Sequence, residues 1–269
     1  MKGRRVLITG GSSGIGAALA EEFARRGARI GISARRADRL SEVLQRCRSH
    51  SPTSRMWVTD LAAAGAPEAL ASEVLREFGS VDVLVNSAGM PKRQHVTRLD
   101  AASVEEVMRV NFLAPVQLTL ALLPALMTSH DPRVINISSV AATLSSPNES
   151  AYDASKAALA VFSEAMAVDL WERGVKVLVV YPGLVDTELL HAPGNDRVLD
   201  SPADPVPVSD VVEAVFDAMG RNAVQVYVPQ FFEDLAAGKA ANVEGFLSGA
   251  AAFVAGQLSL AADTAAARA

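Results

Sequence analysis

The sequence predicts an α/β fold: a single doubly wound domain on a seven-stranded parallel sheet, followed by a C-terminal helical extension. Three observations predict it. Short β-branched runs alternate with longer stretches of helical periodicity. The short runs are nearly all apolar, as expected when helices cover both faces of a sheet. No internal repeat or low-complexity linker divides the 269 residues, a length that one α/β domain can reach. Half of the residues are hydrophobic, enough for a sizeable core. Strict β–α alternation then implies right-handed crossovers and parallel pairing.

In chain order, strands are predicted over 6–9, 29–33, 54–58, 81–85, 133–137, 176–181 and 224–228. Helices are predicted over 15–26, 37–48, 67–78, 102–128 and 149–173, and near 208–219. The first helix places Ile15, Leu19 and Phe23 on one face. Residues 1–230 carry this rhythm as one domain, and residues 231–269 form the extension. Residues 187–207, rich in Pro, Asp, His and Asn, read as a mobile loop. Residues 245–262 are uncharged and just reach the length of a membrane span. They are mostly Ala, Gly and Ser, include Gln257, and are flanked by Glu244 and Asp263 rather than by basic residues. Phe246, Ala250, Phe253 and Leu258 recur at roughly helical spacing. That favours an amphipathic helix packed on the body or on a partner over contact with a membrane.

The formal net charge of −5 gives no general attraction to nucleic acid. The charge is uneven, however. Residues 1–55 carry twelve Lys/Arg against four Asp/Glu, a local +8, which leaves −13 for the remainder. A basic cluster in an acidic chain suggests a local anionic ligand. Cys47 is the only cysteine, so no intrachain disulfide is available, which fits a reducing compartment. The four His are scattered without zinc-type spacing, and no metal is expected. Too few apolar residues follow Arg5 for the core of a signal peptide. A cytoplasmic location is the expectation.

Thr9-Gly10-Gly11-Ser12-Ser13-Gly14-Ile15-Gly16 lies between the first strand and the first helix, where a Rossmann-type fold holds a pyrophosphate. Gly10 can adopt the tight turn, and Gly14 and Gly16 let the helix lie close to phosphate and sheet. Helix N–H groups and the positive end of the helix dipole would face the phosphates. After the second strand, an NAD enzyme usually has an acid for the ribose hydroxyl. Here Arg35 and Arg36 follow, with Arg39 one turn on. Guanidinium forks suit a 2′-phosphate, so NADP(H) is the expected cofactor.

Tyr152 and Lys156 share a helix face at i and i+4. A free phenol has a pKa of about 10, poorly matched to proton transfer at neutral pH. A nearby ammonium lowers it. Ser138 and Ser139 end the fifth strand, at the sheet edge where such folds place ligands. A hydroxyl there can stabilise charge on a carbonyl oxygen.

Together these residues resemble the short-chain dehydrogenase/reductase family over about residues 4–230. Residues 9–16 resemble its cofactor turn. Asp60-Leu61 matches the pair that meets the adenine. Asn86-Ser87-Ala88-Gly89 is similar to its Asn-Asn-Ala-Gly segment, with Ser87 replacing the second Asn. Asn111 matches the family's catalytic Asn. Thirteen residues separate the family's serine from its tyrosine, which selects Ser139 over Ser138. Pro182-Gly183, with Val185 and Thr187, matches the segment that holds the nicotinamide carboxamide. The resemblance implies that Tyr152 is the general acid/base and that Lys156 lowers its pKa and bonds the nicotinamide ribose. It implies that Ser139 orients the substrate oxygen and that Asn111 holds a relay water. The implied cofactor contacts are Gly10, Ser12, Ser13, Gly14, Ile15, Gly16, Arg35, Arg36, Asp60, Leu61, Asn86, Ala88, Gly89, Tyr152, Lys156, Pro182, Gly183, Val185 and Thr187.

The expected function is hydride transfer between NADP(H) and a small hydrophobic carbonyl or alcohol. The alternatives are an NADP(H)-binding sensor with little turnover and a membrane-peripheral enzyme anchored by residues 245–262. Specificity is expected from residues 90–96, 141–150 and 184–207. Val140, Leu144, Leu184, Leu189 and Leu190 suggest a hydrophobic pocket, and His95 and His191 are weaker candidates for substrate contact. The resemblance also implies a homodimer or homotetramer built through the two long helices.

Overall fold

A computed structural model describes residues 1–199 and 204–266, the side chains of 258–266 excepted. Seven strands form one sheet in the order β3-β2-β1-β4-β5-β6-β7, and every neighbouring pair is parallel. They are β1 (Arg5–Thr9), β2 (Arg29–Ala34), β3 (Arg55–Val58), β4 (Val83–Asn86), β5 (Arg133–Ile137), β6 (Lys176–Pro182) and β7 (Gln225–Val228). The helices of the first half are α1 (Gly14–Arg25), α2 (Ala37–Arg48), α3 (Ala66–Phe78), α4 (Ala101–Met108) and α5 (Ala114–Leu126). Those of the second half are α6 (Ala141–Leu144), α7 (Ser150–Asp169), α8 (Val208–Arg221), α9 (Phe231–Ala241) and α10 (Val243–Ala266).

The apolar strands are explained by the two cores. On one face Phe23 of α1, Leu40 of α2 and Val215 of α8 cover Val6, Ile8, Ile30 and Ile32. On the other, Val74 of α3, Leu118 of α5 and Met166 of α7 cover Leu7, Leu84 and Val134. Successive strand residues point to opposite faces, so a strand buried on both takes a polar side chain only where a hydrogen-bond partner meets it, as at Asn86 and Asn136.

The amino ends of the strands are closed by ion pairs. Asp131 meets Arg4, Arg133 (Nε, 3.2 Å) and Lys176 (Nζ, 2.8 Å). Asp82 accepts from the backbone N–H (2.7 Å) and Nε (3.0 Å) of Arg5 and from Ser129 Oγ (2.7 Å). This corrects the reading of the basic N-terminal third as one ligand-binding cluster. Arg4 and Arg5 serve this edge, Arg25 and Arg26 pair with Glu22, and Arg46 pairs with Glu21.

Four departures from the predicted elements have physical causes. The helix expected over 102–128 carries a π-helical turn, Arg109–Leu113, between α4 and α5. Asn111 sits in that turn and is fully buried. The helix expected over 149–173 stops at Asp169, and a 3₁₀ turn, Trp171–Arg173, leads into left-handed Gly174. The extension is two helices. Asn242 leaves helical geometry at φ −149, and its Oδ1 accepts the N–H of Gly245 (2.9 Å), so it ends α9 and caps α10. The stretch expected as a mobile loop is tethered among its described residues. Val185 bridges to Val206, and Arg93 holds the segment through Leu190 O (2.5 Å) and Asn195 Oδ1 (2.7 Å). Part of that stretch, 200–203, and the side chain of Leu258 lie outside the described residues.

Candidate active site

The chain reverses direction across the sheet after β3, so β1 and β4 become neighbours at its centre. A crevice opens at the carboxyl ends of strands flanking such a switch point. Here it is a cleft of about 1560 Å³.

The glycine turn forms its floor. Thr9 Oγ1 accepts the N–H groups of Ser87 and Ala88 at 3.2 Å each, fastening the end of β1 to the end of β4. Gly10 has φ +68, and a Cβ there would lie 2.8 Å from the Ala88 backbone. A Cβ on Gly16 would lie 2.4 Å from the Gly10 carbonyl oxygen. Only hydrogen fits at either point. α1 begins at Gly14 with no side-chain cap, leaving its first N–H groups to a ligand. Ser12, Ser13, Gly14, Ile15 and Gly16 line the cleft.

The arginines after β2 lie beside this turn. Arg36 reaches Ser13 Oγ (2.7 Å), Ser12 Oγ (3.3 Å) and Glu188 Oε2 (2.6 Å). Arg35 is exposed on the same wall. Asp60 and Leu61 line the cleft after β3, with Asp60 Oδ1 accepting the Ala62 N–H at 3.0 Å. Ala88, Gly89, Pro182, Gly183, Val185 and Thr187 complete this half. An uncapped helix start, backbone approach limited to glycine and a guanidinium beside the turn together fit a dinucleotide bearing an extra phosphate.

Asn86 is the exception among the expected cofactor contacts. It is buried away from the cleft, and its Nδ2 donates to Thr119 Oγ1 (3.1 Å) and Asn136 Oδ1 (2.8 Å). Asn136 Nδ2 donates in turn to Ser163 Oγ (2.7 Å). The two hydroxyls end on helix carbonyls, Thr119 on Pro115 O and Ser163 on Leu159 O, at 2.6 Å each. This polar row joins α5, β4, β5 and α7, so Asn86 supports the sheet instead of touching a ligand.

The second half of the cleft gathers the polar residues of β5 and α7. Tyr152 and Lys156 both line it, with the ammonium 5.7 Å from the phenol ring centre. Lys156 Nζ donates to Ile137 O at 2.9 Å, and burial pulls its pKa down to about 8. Ser138 Oγ is committed to the Lys156 carbonyl (3.0 Å), whereas Ser139 Oγ lines the cleft, accepting the Ala141 N–H (3.2 Å) and donating at long range to Pro182 O (3.4 Å). Asn111 Oδ1 accepts the Met90 N–H (2.9 Å), and its Nδ2 donates to Met90 O and Ser155 Oγ, both at 3.0 Å. Those contacts hold the π turn against α7. Gly89 leaves room between two of these groups: a Cβ there would sit 3.4 Å from both Asn111 Oδ1 and Lys156 Nζ. The expected lowering of the Tyr152 pKa is not what this arrangement produces. Burial comes first and raises the phenol, Glu149 adds to the rise, and the Ser139 hydroxyl opposes it.

Several contributors were given no individual role by the sequence: Arg93 and Glu149 lie within the ranges 90–96 and 141–150 expected to set specificity, whereas Phe232 and Lys239 lie outside every expected site. Arg93 and Glu149, both largely buried, face each other at 3.7 Å in the cleft wall. Burial raises the Glu149 carboxyl, with Arg93 opposing. Asp153, on the next turn of α7, is pushed up to about 8 by burial and by Glu149. Phe232 of α9 packs on Gly183, where a Cβ would meet its ring at 2.5 Å. Lys239 Nζ ties α9 to the α6 end through Thr143 O and Ser145 Oγ, each at 2.7 Å. Phe246, Ala250 and Phe253 of α10 line the cleft, as do Leu144 and Leu184. Helical spacing in 245–262 signalled that stripe, and the expected specificity ranges contained Arg93 and Glu149 without pairing them; nothing local signalled Phe232.

Comparison with known proteins gives this architecture a family. The short chain dehydrogenase model matches residues 4–197. A mouse protein, dehydrogenase/reductase SDR family member 7B, is 33% identical over 241 residues, covering 86% of this chain and 75% of its own length. Several other relatives are longer, and the chain spans 57% to 62% of them. Among solved structures, a Sphingobium yanoikuyae short-chain dehydrogenase in complex with NADPH superposes with a TM-score of 0.79. It is 29% identical and covers 91% of this chain and 95% of that one. The bulky-bulky ketone specific alcohol dehydrogenase of Comamonas testosteroni gives a TM-score of 0.75 at 25% identity, covering 92% and 95%. A family match over most of the sheet, with the glycine turn, Tyr152 and Lys156 on one cleft, shows that this chain is an oxidoreductase of the short-chain dehydrogenase/reductase family.

Proposed function

We propose that the protein transfers a hydride between NADP(H) and an apolar carbonyl compound or its alcohol, with Tyr152 as general acid/base. The observation that carries this reading is that Tyr152, Ser139 and Lys156 share one cleft with the glycine turn and Arg36. Gly10 to Gly16 would hold the pyrophosphate, Arg35 and Arg36 the 2′-phosphate, and residues 182–187 the nicotinamide. Bound there, NADP(H) supplies the hydride in reduction and accepts it in oxidation.

In reduction a proton passes from Tyr152 Oη to the substrate oxygen as the carbonyl carbon gains hydride; in oxidation the phenolate takes it back. Ser139 Oγ hydrogen-bonds the same oxygen and holds it against the phenol. Lys156, as the ammonium, stabilises the phenolate that protonation of substrate leaves behind. Asn111 acts in positioning: it fixes the Met90 backbone and Ser155 beside that lysine.

The apolar substrate is supported by the far wall, where Phe232, Leu235, Phe246, Ala250 and Phe253 from the extension face the cleft. The ketone specificity in the name of the Comamonas neighbour agrees with such a wall. We also propose a homo-oligomer joined through α5 and α7, whose outer faces expose Leu120, Val161 and Val168. Light scattering after size exclusion tests it, and a monomer at all concentrations would remove it.

The deciding experiment follows NADPH oxidation over a panel of ketones and aldehydes for wild type and Tyr152→Phe. Turnover in the wild type that is lost in a variant still binding NADPH supports the reading. Tight NADPH binding without turnover, in either direction, would favour a cofactor-sensing role.

A further inference from the structure

Glu188 lies 152 positions beyond Arg36, yet the two side chains are in contact, Oε2 to Nη1 at 2.6 Å. The other carboxylate oxygen is 3.4 Å from Nη1 of Arg39. Arg36 meanwhile donates through Nη2 to Ser13 and Ser12 at the start of α1. A donor set of two guanidinium groups beside a helix N-terminus suits a phosphate. Here it is engaged by an oxyanion belonging to the protein itself.

We propose that Glu188 is a specificity-determining residue for the cofactor. It competes for the anion site formed by Arg36 and Arg39, so that a 2′-phosphate must displace it and a 2′-hydroxyl need not. This rests on the NADP(H) reading above. The exchange is physically reasonable because both partners of the pair are about half exposed, at 46% and 48%. Exposed ion pairs are weak, and a phosphate brings more charge and more acceptor oxygens to the same donors. Arg36 holds the Glu188 carboxyl below the usual carboxylate range, so it stays an anion throughout the neutral range.

The position of Glu188 gives the competition a second consequence. It follows Thr187 and opens the 3₁₀ turn Glu188–His191, which walls the substrate end of the cleft. That turn is held by exposed tethers from Glu188 to Arg36 and Arg39 and by a part-buried tether from Arg93 to Leu190 O. A 2′-phosphate releases the exposed tethers and leaves the one from Arg93. Cofactor choice and the freedom of the substrate wall are thereby linked through one side chain.

The test is a binding titration on the full chain, read by fluorescence or calorimetry, with NADPH, NADH and the fragment 2′,5′-ADP. Glu188→Gln is expected to lower Kd for NADPH and 2′,5′-ADP roughly two- to fivefold, the worth of an exposed ion pair, and to leave Kd for NADH in place. The gain should shrink as salt rises, through screening. Weaker NADPH binding, an equal shift for NADPH and NADH, or no shift would overturn the assignment. Arg36→Ala separates the two levels. If it weakens NADPH selectively while Glu188→Gln does nothing, only the role of Glu188 is overturned. If wild type does not distinguish the cofactors and Arg36→Ala changes neither, the NADP(H) reading fails and takes this inference with it.

Discussion

The two ends of the sheet solve opposite problems with the same kinds of residue. At the amino end, Asp82 and Asp131 are partly buried and each is matched by arginine, lysine or a hydroxyl. Burial works to raise both carboxyls, and their hydrogen bonds more than reverse it, leaving Asp82 at about 2 and Asp131 lower still. At the carboxyl end, Lys156 is buried and Tyr152 partly buried in the cleft, and Asp153 keeps one carboxylate oxygen without a hydrogen-bond partner. Burial moves each of these toward its neutral form. One end spends its charges on holding strands together, and the other keeps titratable groups poised. The lesson is that burial alone does not decide a pKa; the number of partners supplied to the charged form does.

The largest effect should come from the poised end. Tyr152→Phe is expected to cut turnover by about 10²–10⁴-fold with NADPH affinity and melting temperature preserved. A comparable loss of stability would blur the contrast. Next comes the matched end. Asp82→Asn should cost on the order of 2 kcal/mol at pH 7, from a carboxyl moved from 3.8 to about 2. Because the folded-state value is the lower one, that stabilisation is complete above about pH 4–5 and is lost as pH falls through about 2. Denaturant melts of wild type and variant should therefore converge in acid, with Kd for NADPH unaffected at neutral pH.

A smaller effect is expected from the apolar wall. Phe246→Ala and Phe253→Ala should raise KM several-fold for bulky ketones, on the order of the 1–3 kcal/mol that hydrophobic pocket contacts contribute at most, and leave small ketones unchanged. Equal losses for both substrate sizes would mean that α10 supports the fold and not the substrate. The smallest effect sharpens the pKa argument. Glu149 raises the Tyr152 phenol, so Glu149→Gln should lower the apparent pKa of alcohol oxidation. Oxidation needs the phenolate and is gained as pH rises through that pKa, so its acidic limb should move to lower pH. A limb that stays put would remove Glu149 from the set of groups tuning the phenol.

The sheet could be read from the sequence because its signals are local. Val6–Leu7–Ile8 or Val177–Leu178–Val179 can be placed only where both faces are covered. The glycine turn, Arg36, Tyr152 and Lys156 were equally legible, since strand ends and helix spacing decide where they lie; Ser139 was separated from Ser138 only by the family resemblance. What stayed hidden depends on distant partners. The π turn at Asn111 is held by Met90 and Ser155, and no property of residues 102–128 announces it. Arg93 finds Glu149, and Arg36 finds Glu188, only after the crossovers are made. Phe232 reads as an ordinary aromatic until Gly183 is seen beneath it. One missed boundary was readable: Asn242, a good N-cap residue ahead of Val243-Glu244, divides the extension in two.

The polar row from Thr119 through Asn86 and Asn136 to Ser163 has a built-in direction. Asn86 gives both amide hydrogens away, Asn136 passes one onward, and both terminal hydroxyls surrender theirs to helix carbonyls. No member can be flipped without setting two donors or two acceptors face to face. The row therefore behaves as a single component in any redesign of this scaffold. Replacing Asn136 alone breaks the row on both sides, whereas converting all four positions to well-packed apolar residues leaves none of them stranded. In a double-mutant cycle, Asn86 and Ser163 should accordingly register as coupled although they do not touch.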